Sequence, residues 1–322
     1  MRPTSQPKVS ITETPSSEAT RHSTFKRLDC PDGTVPIRRT RKEDLIRAKS
    51  FFESYSSSIN EVTKVIPGQE VAIRTSRGTE QTNAFHGVHG YINVANPKVG
   101  MDQFSAGQVW VEGGPPDQLN TLQAGWAVAP QLFGDNLTRI FAFSNTDVQR
   151  KQGCYNLLCQ GFVQVDRGVA IGSDLSPISV YKGDQYIIHL TIFQDVKGNG
   201  DWWLLAPDDK TLVGYWPKDL FPNLHDGAQS IAWGGLVKGT PDGPTPQMGN
   251  GEFPNHHYDE ACSVVHLQVV NSNGDLEDQF EAEFLNFLSS PHCYNLEYSG
   301  FIDEDQRYSF LFGGPGGDNC GP

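Results

Sequence analysis

Short apolar runs that alternate with period two, cut off by Gly, Pro, Asn and Asp, recur along most of this chain. Such a run can bury only one face, so it reads as a strand on a sheet with a second layer behind it. In YIIHLTIF, Tyr186, Ile188, Leu190 and Ile192 fall on one side, and Ile187, His189, Thr191 and Phe193 on the other. In SVVHLQVV, Val265, Leu267 and Val269 form the apolar face, with Ser263, His266 and Gln268 on or near the wetter one. QVWVEGG, RIFAFSN, GFVQVD, WWLLAP, LVGYWP and SIAWGGLV repeat the pattern. Strands at this density, with few helical patterns between them, predict an all-β fold, an antiparallel β-sandwich. The densest part runs from Leu119 to Val165, where turn residues and the close pair Cys154 and Cys159 pin two or three strands and Gln123 lies at the surface.

The N-terminal part reads differently. Residues 1–24 are rich in Ser, Thr, Pro and Glu and are expected to be disordered, since they bury too little to offset chain entropy. Residues 25–70 carry the one convincing helix pattern and a linker. Thr40 can cap that helix, with Glu43 three residues on, and Leu45, Ile46, Lys49, Phe51 and Phe52 follow. The basic group Arg38, Arg39, Arg41 and Lys42 could bind an anionic partner or offer a processing site, and otherwise reads as a solvated face that pairs with acidic residues of the main domain, residues 71–322.

Lys and Arg total 25 against 38 Asp and Glu, a net charge of −13. That excludes nucleic acid and an anionic membrane surface as main partners. No apolar run is long enough to span a bilayer, and no signal-peptide pattern is visible in MRPTSQPKVSITETPSSEAT. Cys30, Cys154, Cys159, Cys262, Cys293 and Cys320 lack the spacing of a zinc site. They suggest at least two disulfides and an oxidising compartment, with buried free thiols as the alternative.

Motifs for common chemistries are missing: there is no GxSxG and no HExxH. His86 and His89 have chelating spacing but no acid or thiol beside them, the adjacent His256 and His257 suit a loop, and no metal or cofactor is expected. Trp126, Tyr215, Trp216 and Trp233 lie on predicted strands and could line a cleft for an extended peptide or a sugar chain, or pack inside the sandwich. Asn136-Leu137-Thr138 is a glycosylation signal if the chain is secreted.

GCYNLLCQGFVQV, the AGW and GDNLTR before it, NGDWWLL with LVGYWP, AWGG, TPQMGNGEFP and GGPGG resemble, in that order, the plant neprosin family. The likeness covers roughly residues 84–322, and DCPDGTVPIRRTRKEDLIRAKS looks like the activation peptide that precedes the domain in that family. The resemblance implies two large antiparallel sheets with a cleft across one of them. It also implies a secreted prolyl endopeptidase of the glutamic class, active at acidic pH, and disulfides Cys154–Cys159 and Cys293–Cys320, leaving Cys30 and Cys262 paired or free. Its partners would be a proline-containing peptide and the chain's own prosegment as an inhibitor.

Glutamic-peptidase chemistry needs two side chains around one water: one takes its proton, the other stabilises the tetrahedral centre. The family's two glutamates align here with Gln123 in LQAGW and Leu236 in WGGLV. An amide at Gln123 can still hold an oxyanion, whereas a leucine can neither accept nor donate a proton. Two expectations follow. Either another carboxylate serves as base, with Glu112 in VWVEGG and Glu252 in GNGEF the candidates, or the chain is an inactive module that binds proline-rich or cell-wall chains through its aromatic cleft.

Overall fold

The computed structural model of the chain describes residues 2–8, 21–24, 27–55, 63–64, 68–76, 85–146, 153–239, 243–278, 284–318 and 320. Most of the expected N-terminal tail and of the linker before the first long strand lies outside them. In chain order the elements are β1 (Arg21–His22), α1 (Lys42–Tyr55), β2 (Gln69–Ser76), β3 (Gly87–Asn93), β4 (Phe104–Gly113), β5 (Asn120–Val128), α2 (Pro130–Phe133), β6 (Arg139–Asn145), β7 (Gly153–Tyr155), β8 (Val163–Gln164), β9 (Tyr186–Gln194), β10 (Trp202–Leu205), β11 (Leu212–Trp216), β12 (Ser230–Lys238), β13 (Cys262–Val270), β14 (Leu276–Asp278), β15 (Phe284–Leu288), β16 (Asn295–Phe301) and β17 (Tyr308–Gly313).

They form two large sheets, antiparallel except for the parallel pair of β1 and β9. The front sheet has the order β15-β2-β12-β4-β5-β6-β7, and the back sheet β16-β17-β13-β3-β9-β10-β11-β8, with β14 beside β13. The fold class is therefore the one the alternation predicts. The core lies between the sheets: Val109, Leu122, Trp126 and Trp233 face it from the front, and Ile92, Ile188, Leu190 and Trp202 from the back. Burial of that apolar surface at roughly 25 cal/mol per Å² is the main stabilising term.

Two local expectations shift. In β13 the inward residues are Val264 and Leu267, not Val265, because a bulge with His266 at φ 57° changes the phase mid-strand. In α1 the backbone N–H of Arg41 donates to Asp44 Oδ2 at 2.7 Å, so the capping contact lies one residue beyond Thr40 and Glu43. Residues 21–24, expected to be disordered, are paired: Arg21 and His22 with β9, and Thr24 with Ser176. Arg38 donates to the Phe133 carbonyl at 3.3 Å, and its charge also favours the ionised carboxylate of Asp135, an acidic residue of the main domain.

Disulfides join Cys154 to Cys159 and Cys293 to Cys320, as the resemblance implied, while Cys30 and Cys262 are free thiols. No helix among the described residues is long and apolar enough to cross a membrane.

Candidate functional site

Alternation sends Phe104, Ala106, Gln108, Trp110 and Glu112 of β4 to the outer face of the front sheet, away from the core. Register then decides which side chains meet. Gln123 of β5 pairs with Trp110, which pairs with Ala232 of β12. The next row on this face is Gly125, Gln108, Gly234, and the one after it Ala127, Ala106, Leu236. Two strand spacings, about 10 Å, separate Gln123 from Ala232 across the Trp110 ring. Leu236 is equally far across and about 13 Å further along the strand. The structure thus does not bring Gln123 and Leu236 together: the residue opposite Gln123 is Ala232.

Gln123 is not at the surface; it is 7 % exposed and Leu236 3 %. Gln108 is fully buried, and its Nε2–H donates to Gln123 Oε1 at 2.8 Å. Gln123 Nε2 is only 3.3 Å from Thr121 Oγ1, a long bond, and Gln108 Oε1 is buried with no partner. Glu112 is buried, pairs with Thr121 and lies diagonally from Gln123, a relation that sets Cβ atoms about 7–8 Å apart. It is the one acidic residue that the described strands of this sheet direct to this face. Glu252 is exposed in a loop packed on Gly313 of the back sheet, so it does not reach this face.

The face is apolar around these amides, and α1 is seated on it. Ala48 and Phe51 belong to a buried cluster with Phe104, Trp110, Tyr155 and Leu236. The Phe51 ring lies 5.9 Å from Phe104 and 5.4 Å from Tyr155. Lys238, at the same face's edge, has its ammonium pushed down to about 8 by burial.

Residues 101–315 match the Neprosin family. The chain belongs to the neprosin family. Among solved structures it is similar to scytalido-glutamic peptidase with a transition state analog inhibitor, at 11 % identity over 77 % of this chain and 98 % of that one, TM-score 0.36. It is also similar to SCP-B, a member of the Eqolisin family of peptidases, in a complex with the tripeptide Ala-Ile-His, at 10 % identity over 78 % and 99 %, TM-score 0.33.

The aromatic cleft expected for this neprosin-family chain is corrected by the fold. Trp126, Trp216 and Trp233 are fully buried between the sheets. The indole N–H of Trp126 donates to Asn93 O at 2.9 Å and that of Trp233 to His89 O at 2.8 Å. Tyr215 lies on the back sheet's outer face, 4.8 Å from the Trp203 ring. A sandwich of this width fills its centre with the largest rings, which leaves Trp110 as the tryptophan beside Gln123. Gln108 and Ala232 are not singled out by any pattern in the sequence. Alternation groups 108, 110 and 112 on one face, but only register shows that Gln123 shares it.

His86 and His89 do not converge on a metal: His86 Nδ1 is 2.8 Å from Gln194 Oε1 and His89 Nδ1 2.8 Å from Thr191 Oγ1. Asn136 is exposed, while the Thr138 hydroxyl of its signal donates to the Ala95 carbonyl at 2.8 Å.

Proposed function

We propose that this neprosin-family chain is an endopeptidase that takes an extended, proline-containing peptide on the outer face of the front sheet, with Glu112 as general base and Gln123 as the amide that holds the developing oxyanion. The observation that carries this is the position of Glu112, the one strand carboxylate on the face that holds Gln123. A carboxylate there can take a proton from a water held over Trp110, while a Gln123 N–H stabilises the tetrahedral oxygen. Preference for proline and for acidic pH comes from the family resemblance. So does the role of α1 as a prosegment that occupies the face until it is displaced, and two disulfides fit secretion. The test is cleavage of a proline-containing fluorogenic peptide between about pH 3 and pH 7 by the parent chain and Glu112→Gln. Glu112→Gln should lower kcat by about 10²–10⁴-fold.

A second reading, an inactive module that binds proline-rich chains, is favoured by the aliphatic side chains at both Ala232 and Leu236. Tight peptide binding with no cleavage by the parent would select it.

A further inference from the structure

Gln108 is buried in the middle of the front sheet, yet one end of its amide has no partner. A buried polar atom left unpaired is costly, so its retention calls for a reason. Both neighbours in its row are glycines, and the close approach of the backbone around Gln108 leaves no room for a side chain at either. A Cβ at Gly125 would lie 2.6 Å from Gln108 Cβ, and one at Gly234, where φ is +141°, would lie 2.2 Å from the Ala72 carbonyl oxygen. The row on one side holds Gln123 and Trp110, and the row on the other is apolar, with Ala106 and Leu236.

The Gln108–Gln123 contact has a direction. Gln108 gives its N–H to Gln123 Oε1, so the end of Gln123 left to a ligand is Nε2, a donor. Turned over, Gln123 would present its oxygen and repel an oxyanion. A primary amide near a reacting carbonyl helps only when its N–H end points there, and nothing in Gln123 itself enforces that choice.

We propose that Gln108 is the positioning residue of this site: it locks Gln123 with its N–H end toward the peptide, and its own oxygen accepts an N–H from the same extended chain. The peptide residue opposite Gln108 must then carry an N–H, which excludes proline from that one position while leaving it free elsewhere. This rests on the reading of the face as a peptide site.

The test uses the full-length chain carrying Phe51→Ala to loosen α1, with Gln108→Met and Gln108→Glu added singly, on the proline-containing fluorogenic peptide. Gln108→Met keeps the shape, removes the donor, and should cut kcat by about 10²-fold with KM little changed. Gln108→Glu is the sharper probe. Ionised, it can only accept, so Gln123 turns over and kcat falls; protonated, it donates again, so its activity relative to the parent should recover as pH falls. A general packing role would give no such recovery. A parental kcat in Gln108→Met, or a Gln108→Glu profile parallel to the parent's, overturns the proposal. If the Phe51→Ala chain cleaves nothing, the peptidase reading fails, and the amide pair is then read directly. With ¹⁵N-glutamine label in the full-length native chain, Gln108→Met should shift the Gln123 side-chain N–H resonances and speed their exchange. Unchanged resonances would sink the positioning role independently of activity.

Discussion

At the scale of single residues, the row Gln123, Trp110, Ala232 determines what this site can be made to do. Ala232 stands where a second carboxylate would face Gln123 across one ring, and Leu236 stands two rows away among apolar side chains. Ala232→Glu should therefore raise cleavage of the proline-containing peptide by about 10²-fold or more, the usual contribution of a positioned acid or base, and Leu236→Glu should not. Kinetics on the two variants side by side decide it; a gain from Leu236→Glu alone would mean that the face closes up in a way its register does not suggest. Gln123 was legible in the sequence through the resemblance, as the position of a family glutamate, and Glu112 as a carboxylate in a motif-rich segment that could stand in for the missing base. Their geometric relation was not. It depends on the register of β4 against β5, and the placing of Ala232 rather than Leu236 opposite Gln123 depends also on β12, more than a hundred residues away; alternation within one run encodes neither register.

The elements show the same division. The helix α1 was readable from its cap residues and apolar spacing, and strands such as β9 from alternation. What α1 covers was not readable, since an amphipathic stripe does not name its partner. Nor was the bulge in β13, where an extra residue at His266 turns the next side chains over. Apolar contacts help to hold α1 in place, with Phe51 only 3 % exposed. Phe51→Ala should weaken its seating by about 3–5 kcal/mol, the range for deleting a buried phenylalanine. Hydrogen exchange in α1 would then speed by about 10²-fold or more, with β4 and β5 still protected. Equal loss of protection in helix and sheet would show instead that α1 is part of the global folding unit.

At the scale of the whole molecule, one response to pH is built into the back sheet. His22, His89, His189 and His266 gather there around Tyr91, whose hydroxyl donates to Asp209 at 2.9 Å. Burial drives His89 down from its ordinary 6.5 to about 3, with His189 and His266 adding to the shift and Asp209 opposing it. The unfolded chain takes up a proton near the ordinary value while the folded one refuses it until about 3. Stability is therefore lost as pH falls through that window, by about 1.4 kcal/mol per pH unit at the steepest. Denaturant titrations across the window should show this slope, and His89→Gln should flatten it; identical slopes would rule His89 out as the source. The sign runs against the acidic working range that the family resemblance implies. On the front sheet, β2 and β4 are neighbours only through β12, which follows β4 by more than a hundred residues. During synthesis the chain must hold β2 unpaired until β12 emerges, and only its insertion completes the surface that carries Gln123. A ribosome stalled before Ser230 would present a meander of β4 to β7 with an open edge, so maturation of this protein depends on shielding that edge from other chains until one late strand arrives.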